Sequence, residues 1–299
     1  MKTALVLVVR VIALTIVLFV CFAIAGTLVG QADSQTAEQA GASAVTLLAV
    51  CLVEAAILTH LILRSSWTGW RLMATVFFVY FGVTTFMSQI ESAVFITRLP
   101  PGMLPRLFLM GAMIAAPFSV IAVLVLGKRK PQAVGTQNHS RLAMPASEWA
   151  WKLTVIAVTY VILYFTFGYF IAWRNPAVLE YYAGIDEGSF LTHMGAELRN
   201  RPWLVPFQLM RALIWVALAL PVIQMMKGQR LETAVTVAVL FGVLMTARLF
   251  LPNPYMPESV RMAHFVETGS SNFLFGLFLT WLLTAQRALG KLPIAQRAG

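Results

Sequence analysis

The residues best suited to chemistry lie on one predicted helix near the carboxyl end of the chain. Pro257 suits the first position of a helix. From there, His264, Glu267 and Ser271 follow an i, i+3, i+7 spacing, which places their side chains on one face. Arg261 lies one turn before His264. The pattern predicts a polar helix face that carries an imidazole, a carboxylate, a hydroxyl and a guanidinium.

Three uses of this face are open. His264 and Glu267 could bind a metal, as carboxylate–histidine pairs do in helix bundles; the sequence has no second such pair, so we expect no metal and no cofactor. They could instead act as catalytic acid and base, with Ser270 or Ser271 as the nucleophile. In the simplest interpretation they only hold the helix against its neighbours, through polar contacts worth less than about 2 kcal/mol each.

Four more charged residues lie within long apolar stretches: Glu54, Glu91, Arg211 and Arg248. An ionisable group inside a bilayer costs several kcal/mol, so it usually faces a partner or a water-filled cavity. Thr84 and Ser88 precede Glu91 by seven and three residues and share its helix face. We expect this polar face to be turned towards protein or water.

The signs of these charges suggest how they are used. The carboxylates lie in the first part of the chain and the guanidinium groups in the second, so they can pair where the two parts meet. One interpretation is a structural ion-pair lock. In the other, Arg211, Arg248 and Arg261 hold an anionic ligand in a cavity, while Glu91 and Glu54 set their geometry or relay protons.

The composition of the chain predicts that membrane helices carry these residues. Of the 299 residues, 59% are hydrophobic and 11% charged, whereas a soluble domain is about 45–50% apolar and about 25% charged. A membrane helix needs roughly 20 mostly apolar residues. Eight segments meet this length: 4–27, 43–63, 72–97, 107–127, 153–173, 204–226, 233–251 and 268–286. Their apolar runs are continuous rather than alternating, which excludes membrane strands.

The first segment also has features of a cleavable signal peptide, with small residues at positions 23–25. Its apolar stretch is long enough to cross a membrane. We expect it to be retained, although cleavage of residues 1–25 stays open.

The eight apolar segments predict an all-α polytopic membrane protein. Weak similarity within the sequence predicts that its helices form two related four-helix halves. Residues 11–17 resemble 155–161, and 81–83 match 241–243 in sequence order. The halves are 1–127 and 153–299, joined by a basic linker, 128–152. An even number of spans in each half makes this a parallel repeat. The long loop 174–203 has room for helices of its own and could cover a cavity or merely connect two spans.

Most Lys and Arg residues fall in segments that would share one side of the membrane. The positive-inside rule then places both termini in the cytosol and the protein in the plasma (inner) membrane. The net charge of +10 is explained by contact with anionic lipid, so we expect the lipid bilayer as partner and no nucleic acid.

These features predict a carrier or binding protein whose polar cavity, between the halves and open to the outside, takes a small polar or anionic solute or a lipid head group. A membrane-embedded enzyme acting on a lipid or peptide near the outer leaflet is the alternative, with His264 and Glu267 as its acid/base pair. An accessory or assembly subunit without a small ligand is the third possibility.

Overall fold

The computed structural model describes residues 2–29, 37–96, 99–130, 142–182, 184, 188–253 and 255–285. The predicted linker 128–152, the loop 174–203 and the segment 268–286 therefore lie partly outside the described residues. Within the described ranges the regular secondary structure is helical, apart from one isolated antiparallel bridge between Ser65 and Met226.

Eleven α-helices follow one another along the described chain. They are α1 (Lys2–Val29), α2 (Ala37–Arg64), α3 (Gly69–Phe81), α4 (Met87–Phe95), α5 (Met103–Val125), α6 (Ala146–Phe167), α7 (Pro176–Tyr181), α8 (Phe190–Asn200), α9 (Leu204–Met225), α10 (Arg230–Val239) and α11 (Glu258–Thr284). π-helical turns at Gly82–Phe86, Gly168–Ala172 and Leu240–Leu244 extend α3, α6 and α10, and a 3₁₀ turn covers Ala247–Phe250.

Seven helical runs are long and apolar enough to cross a membrane. They are Ala4–Val29, Ser43–Arg64, Gly69–Phe95, Met103–Val125, Ala146–Ala172, Leu204–Met225 and Arg230–Phe250. Each falls on one of the first seven predicted segments, so the prediction of an α-helical chain with long apolar helices is confirmed for these seven, by length and composition. α11 has 27 residues, but the polar residues of its first half make it less apolar than these seven.

One boundary differs from the sequence prediction. α6 begins at Ala146, after Pro145, rather than at residue 153. The reason is an i, i+4 ion pair: Lys152 Nζ lies 2.8 Å from Glu148 Oε1, and the Lys152 side chain is 2% exposed. Both residues are charged, which suggests a loop in the sequence, but pairing lets them extend the helix. The loop 174–203 contains α7 and α8, as its length predicted.

The long helices form two groups with the same pattern of contacts. In the first group, α1 packs against α2 and α5, and α5 packs against α3. In the second group, α6 packs against α9 and α11, and α11 packs against α10. The groups meet where α3 contacts α9, where α2 contacts the turns that follow α10, and where the π turns 82–86 and 240–244 touch.

Main-chain hydrogen bonds join the groups at one end of the bundle, here called the base. Ser66 N donates to Met225 O over 2.6 Å, and Lys227 N donates to Arg64 O over 2.9 Å. Lys152 Nζ also reaches Ala285 O, 3.0 Å away, at the end of α11. The ends of α2, α9 and α11 therefore lie together at the base, and the opposite end, where α4 ends and α9 begins, is called the cavity end.

The contact between the π turn 240–244 and α11 depends on a residue without a side chain. A Cβ atom on Gly242 would lie 2.6 Å from Gly269 O and 2.8 Å from Phe273 Cβ. The backbones of the two helices approach this closely only because position 242 is glycine. Such small-residue contacts are common between membrane helices.

We predict that Gly242→Ala destabilises the protein. The added methyl group meets a backbone oxygen that cannot move aside, and overpacking of this kind costs about 1–3 kcal/mol. Unfolding in mixed detergent–SDS micelles measures the change in free energy.

Gly26→Ala is the matched control, because a Cβ atom there has open space. This substitution should leave the free energy of unfolding unchanged or raise it by up to about 1 kcal/mol. Equal effects of the two substitutions would contradict the close packing at Gly242.

Candidate functional site

A cavity of about 1000 Å³ lies between the two helix groups at the cavity end. Its wall includes residues of α4 and α5 from the first group and of α6, α8 and α11 from the second. Six of the residues singled out in the sequence line it: Ser88, Glu91, Arg248, Arg261, His264 and Glu267. Thr84 lines it as well, so the predicted polar face with Ser88 and Glu91 is turned towards this cavity. Arg211 and Glu54 are not among the residues that line it.

The first ion pair joins α4 to α9 beside the cavity. Arg211 Nη2 lies 2.8 Å from Glu91 Oε2, and Nη1 lies 3.2 Å from Oε1, so the contact is bidentate. Arg211 Nη1 also donates to Gln208 Oε1 over 3.0 Å. The Arg211 side chain is 2% exposed and that of Glu91 30%. The carboxylate therefore faces the cavity, and the guanidinium supports it from behind.

The second ion pair joins α2 to the 3₁₀ turn after α10, with the opposite arrangement of charges. Arg248 Nε lies 2.8 Å from Glu54 Oε1. The Tyr80 hydroxyl donates to Glu54 Oε2 and accepts from Arg248 Nη2 over 3.0 Å. Glu54 is fully buried, whereas the Arg248 side chain is 18% exposed. Here the guanidinium faces the cavity, and the carboxylate lies behind it.

The prediction that carboxylates of the first part pair with guanidinium groups of the second is confirmed by both contacts. Each pair brings two charges into a region of low dielectric constant, where an unpaired charge would be costly. Both pairs therefore fix the relative positions of the two helix groups. Whether they also bind a ligand stays a prediction.

The polar face of α11 forms a chain of hydrogen bonds at the cavity wall. His264 Nδ1 lies 3.2 Å from Glu267 Oε2, which also accepts from Thr268 Oγ1 over 2.8 Å. His264 Nε2 lies 3.0 Å from the hydroxyl of Tyr182, which follows α7 and also lines the cavity. Burial raises the pKa of Tyr182 above its ordinary value. Its hydroxyl is therefore a proton donor rather than a phenolate.

The serines expected beside His264 have other partners. Ser270 Oγ donates to Val266 O over 2.5 Å, and Ser271 Oγ lies 3.3 Å from Thr268 O. Both hydroxyls thus bond to their own helix, while the ring nitrogens of His264 face Tyr182 and Glu267. The structure does not assemble a serine–histidine pair. No group of three His, Cys, Asp or Glu side chains within the described ranges could hold a metal ion.

Arg261 differs from Arg211 and Arg248 in having no carboxylate partner among the described residues. Its Nη1 donates to Leu249 O over 2.8 Å and also to Leu251 O, at the end of the 3₁₀ turn. The residue is 7% exposed, and its Nε atom has no hydrogen-bond partner in the described structure. A nearly buried positive charge thus belongs to the cavity wall without a compensating negative one.

Other polar atoms of the wall are also unpartnered among the described residues. They are Thr85 Oγ1, Gln89 Oε1 and Trp173 Nε1. Buried polar groups are normally hydrogen-bonded, so such atoms point to water or a ligand. The cavity wall can therefore offer donors and an acceptor in addition to its charges.

A second hollow of about 10 Å³ separates the His264–Glu267 pair from the Glu91–Arg211 pair. Its lining includes Glu91, Arg211, Glu267 and Asn272. The volume is about that of one water position, and the lining supplies the polar partners that a buried water needs. The two polar clusters are thus neighbours across a single small space.

Sequence reasoning missed three residues of these clusters: Tyr80, Tyr182 and Gln208. Tyr80 and Gln208 lie in apolar runs, where a tyrosine or glutamine carries no charge to draw attention. Both have a local signal: Gln208 precedes Arg211 by three residues and Tyr80 precedes Thr84 by four, so each shares a helix face with a residue singled out in the sequence. Tyr182 comes from a loop, and only the tertiary structure brings it to His264.

Comparisons with protein-family models, curated proteins and solved structures gave no match.

We predict that Arg248→Gln destabilises the protein by about 3–5 kcal/mol, because it leaves the buried Glu54 carboxylate without its cation. The double variant Glu54→Gln/Arg248→Gln should lose much less than the sum of the two single variants, because it leaves no uncompensated charge. Free energies of unfolding in mixed micelles provide this double-mutant cycle.

The exposed ion pair between Arg64 and Glu232 at the base is the control. The Arg64 side chain is 45% exposed, so Arg64→Gln should cost no more than about 1 kcal/mol. Additive losses for Glu54 and Arg248 would contradict an energetic coupling between them.

Proposed function

We propose that this chain is a multi-pass membrane carrier or binding protein whose cavity takes up a molecule with an anionic head and an apolar body. The head belongs either to a free solute or to a lipid. The observation that carries the proposal is the cavity of about 1000 Å³ whose wall contains the nearly buried guanidinium of Arg261 without a carboxylate partner.

The buried part of the wall favours an anion over a cation. Glu91 is neutralised by Arg211, Arg248 by Glu54, and Glu267 contacts His264. Arg201 and Glu197, which also line the cavity, pair with each other at 3.5 Å. Glu258 also lines the cavity without an ion pair among the described residues, but it is exposed to solvent. Among the buried charges, Arg261 then remains as a cation whose charge is not balanced by an ion pair, and an anionic head group would balance it.

The apolar part of the wall favours an amphipathic ligand. It includes Leu99, Met103, Leu107 and Met110 from the beginning of α5 and the segment before it. Ligand sites are commonly apolar, with a few placed polar groups that orient the ligand. We infer that an aliphatic or acyl part lies along α5 while the head meets Arg261 and the α11 face.

We further propose that α11 provides an eighth span through its apolar part, 268–284, with the polar turns from Glu258 to Glu267 preceding it. At about 1.5 Å per residue, a helix of 27 residues is about 40 Å long. It packs antiparallel to α10 between the base and the cavity end. Its length and packing support a spanning helix, even though its first half is polar.

Several contacts support a two-fold repeat of four helices. Two hydrogen bonds at the base are equivalent under this relation. The bond from Ser66 N to Met225 O takes the place of the bond from Lys227 N to Arg64 O when α2 and α9 are exchanged. The two groups also share one contact pattern, and π turns occur at the matching segments 81–83 and 241–243.

The ion pairs follow the same two-fold relation with their charges reversed. The separation in sequence between Glu54 and Arg211 equals the separation between Glu91 and Arg248. Exchanging the groups therefore converts the Glu54–Arg248 pair into the Arg211–Glu91 pair. In transporters built from repeats, the substrate site lies at the interface between the repeats, which is where this cavity lies.

The distribution of basic residues supports an orientation with the base in the cytosol and the cavity open to the outside. Arg64, Lys128, Lys152 and Lys227 all make contacts at the base. The positive-inside rule favours the cytosol for this end, and we propose the plasma (inner) membrane as the location of the protein.

We predict that the protein binds 1-octanesulfonate, a permanent monoanion with an aliphatic tail, more tightly than the neutral 1-octanol. Arg261→Gln should weaken octanesulfonate binding about tenfold or more, because a hydrogen bond to a charged group is worth about 1.5–3 kcal/mol. Isothermal titration of protein in phosphatidylcholine nanodiscs measures the affinities.

A second experiment tests whether the anionic head belongs to a lipid. The protein is reconstituted in equal amounts of phosphatidylglycerol and phosphatidylcholine, and native mass spectrometry identifies the lipids that it retains. We expect preferential retention of phosphatidylglycerol if the ligand is a lipid, and loss of that preference in Arg261→Gln. Arg64→Gln, at the base, is the matched control and should change neither result. Failure of both anionic probes to bind better than their neutral counterparts would refute the proposed function.

A further inference from the structure

Tyr182 is fixed at the cavity wall by contacts on several sides of its ring. It lies 4.8 Å from the Tyr181 ring, 5.8 Å from the His264 ring and 6.1 Å from the Trp173 ring, measured between centroids. Its hydroxyl is therefore held next to His264 Nε2, at 3.0 Å. A hydroxyl has one proton to donate, so its partner decides where that proton points.

The state of His264 decides the direction of that proton. Glu267 is 7% exposed and its ionised carboxylate can only accept, so the contact at 3.2 Å assigns a proton to Nδ1. When the ring is neutral, Nε2 accepts the hydrogen bond from Tyr182. When the ring takes up a second proton, Nε2–H donates to the Tyr182 oxygen, and the hydroxyl proton is free to turn into the cavity.

We propose that Tyr182 is a ligand-binding residue of the cavity, and that its hydroxyl, together with Arg261, binds the anionic head of the ligand when His264 has taken up a proton. This inference rests on the proposed function and makes it specific: the ligand is an anion that binds together with one proton. A hydronium ion or buffer acid in solution gives up the proton, and His264 Nε2 uses its lone pair to form the new N–H bond; no bond of the ligand is formed or broken.

The spacing on α11 supports a shared anion site. Arg261 precedes His264 by three residues, which puts the two side chains on one face of the helix, and both line the cavity with Tyr182. Arg261 supplies a constant positive charge, and the protonated imidazole supplies a second one together with the reoriented hydroxyl. An anion therefore meets two more favourable features after His264 is protonated than before.

The surroundings of His264 contain charges of both signs. Its own helix also carries Glu258, Arg261 and Glu267. The elements packed around it carry further titratable or charged groups: Tyr169 on the π turn 168–172, Tyr181 on α7, Tyr182 after α7, Glu91 on α4 with Arg211 behind it on α9, Tyr164 on α6 and Arg248 on the 3₁₀ turn. The hydrogen bond to Glu267 and the negative charges of Glu267 and Glu91 favour a protonated ring.

These opposing effects leave His264 easier to protonate than a free histidine. Burial lowers the pKa of His264, but the hydrogen bond and charge of Glu267 and the charge of Glu91 raise it, and the net shift is upward. His264 precedes the apolar segment 268–286. Protonation at a mildly acidic or neutral pH is therefore accessible to this ring.

The test measures 1-octanesulfonate binding to the full chain in phosphatidylcholine nanodiscs between pH 5.5 and 8.5. A sulfonate keeps its charge throughout this range, so any pH dependence comes from the protein. We expect the affinity to fall by up to about tenfold per pH unit above the titration midpoint of His264. Titrations in buffers of different ionisation enthalpy should show uptake of close to one proton per anion there.

Single substitutions separate the roles of His264, Tyr182 and Glu267. His264→Gln should abolish the pH dependence and the proton uptake, and Tyr182→Phe should weaken binding at pH 6 about tenfold while leaving the affinity at pH 8 nearly unchanged. Glu267→Gln should move the pH profile to lower pH, because it removes the nearest negative charge. Histidine NMR titration of the same proteins follows the midpoint of His264 without a ligand.

Two substitutions serve as matched controls. His60→Gln removes a histidine whose ring nitrogen bonds Thr236, outside the cavity wall. Tyr181→Phe removes the hydroxyl of the adjacent tyrosine, which donates to Tyr255 O. Neither should alter the pH dependence of octanesulfonate binding.

The outcomes distinguish this inference from the proposed function. Octanesulfonate binding that does not change with pH, or that keeps its pH dependence in His264→Gln, overturns the role of Tyr182 and His264 and leaves the cavity as an anion site. If octanesulfonate does not bind at any pH and phosphatidylglycerol is not retained over phosphatidylcholine, both proposals are overturned.

Discussion

The structure depends on the cost of placing charges where water is scarce. Glu54 is fully buried and the Arg211 side chain is nearly so, and neither would be tolerated without an opposite charge. Each finds its partner on a helix of the other group, so the energetic requirement of single side chains becomes a constraint on the whole bundle. The two groups of helices meet in the geometry that satisfies both pairs.

That constraint also shapes the cavity. The ion pairs act at the cavity end, and main-chain hydrogen bonds join Ser66 to Met225 and Lys227 to Arg64 at the base. The cavity lies at the end that the ion pairs hold together, and its wall presents one partner of each pair, the carboxylate of Glu91 and the guanidinium of Arg248, with the second partner behind. The cavity therefore contains charges of fixed position, and Arg261 adds one that no contact balances. The proposed anionic ligand follows from this buried cation without an ion pair.

Much of the fold could be predicted because membrane spans are encoded locally. A run of apolar residues of sufficient length specifies a helix wherever it occurs, and seven helices follow the predicted segments. The errors lie where polar residues take part in helices. Lys152 and Glu148 extend α6 because they pair with each other, and the polar turns of α11 continue into its apolar part. A hydropathy pattern does not register either effect.

The sequence by itself determined the helical membrane architecture, the residues that carry charge within it and the expectation that carboxylates and guanidinium groups would meet. These follow from side-chain chemistry and the high cost of isolated charges in an apolar medium. Only the tertiary structure decided which carboxylate meets which guanidinium, that Tyr80 and Tyr182 join them, and that Ser270 and Ser271 turn to their own helix instead of His264. Such contacts connect residues far apart in the chain, and hydrogen-bond geometry, which selects among them, exists only once the helices have packed.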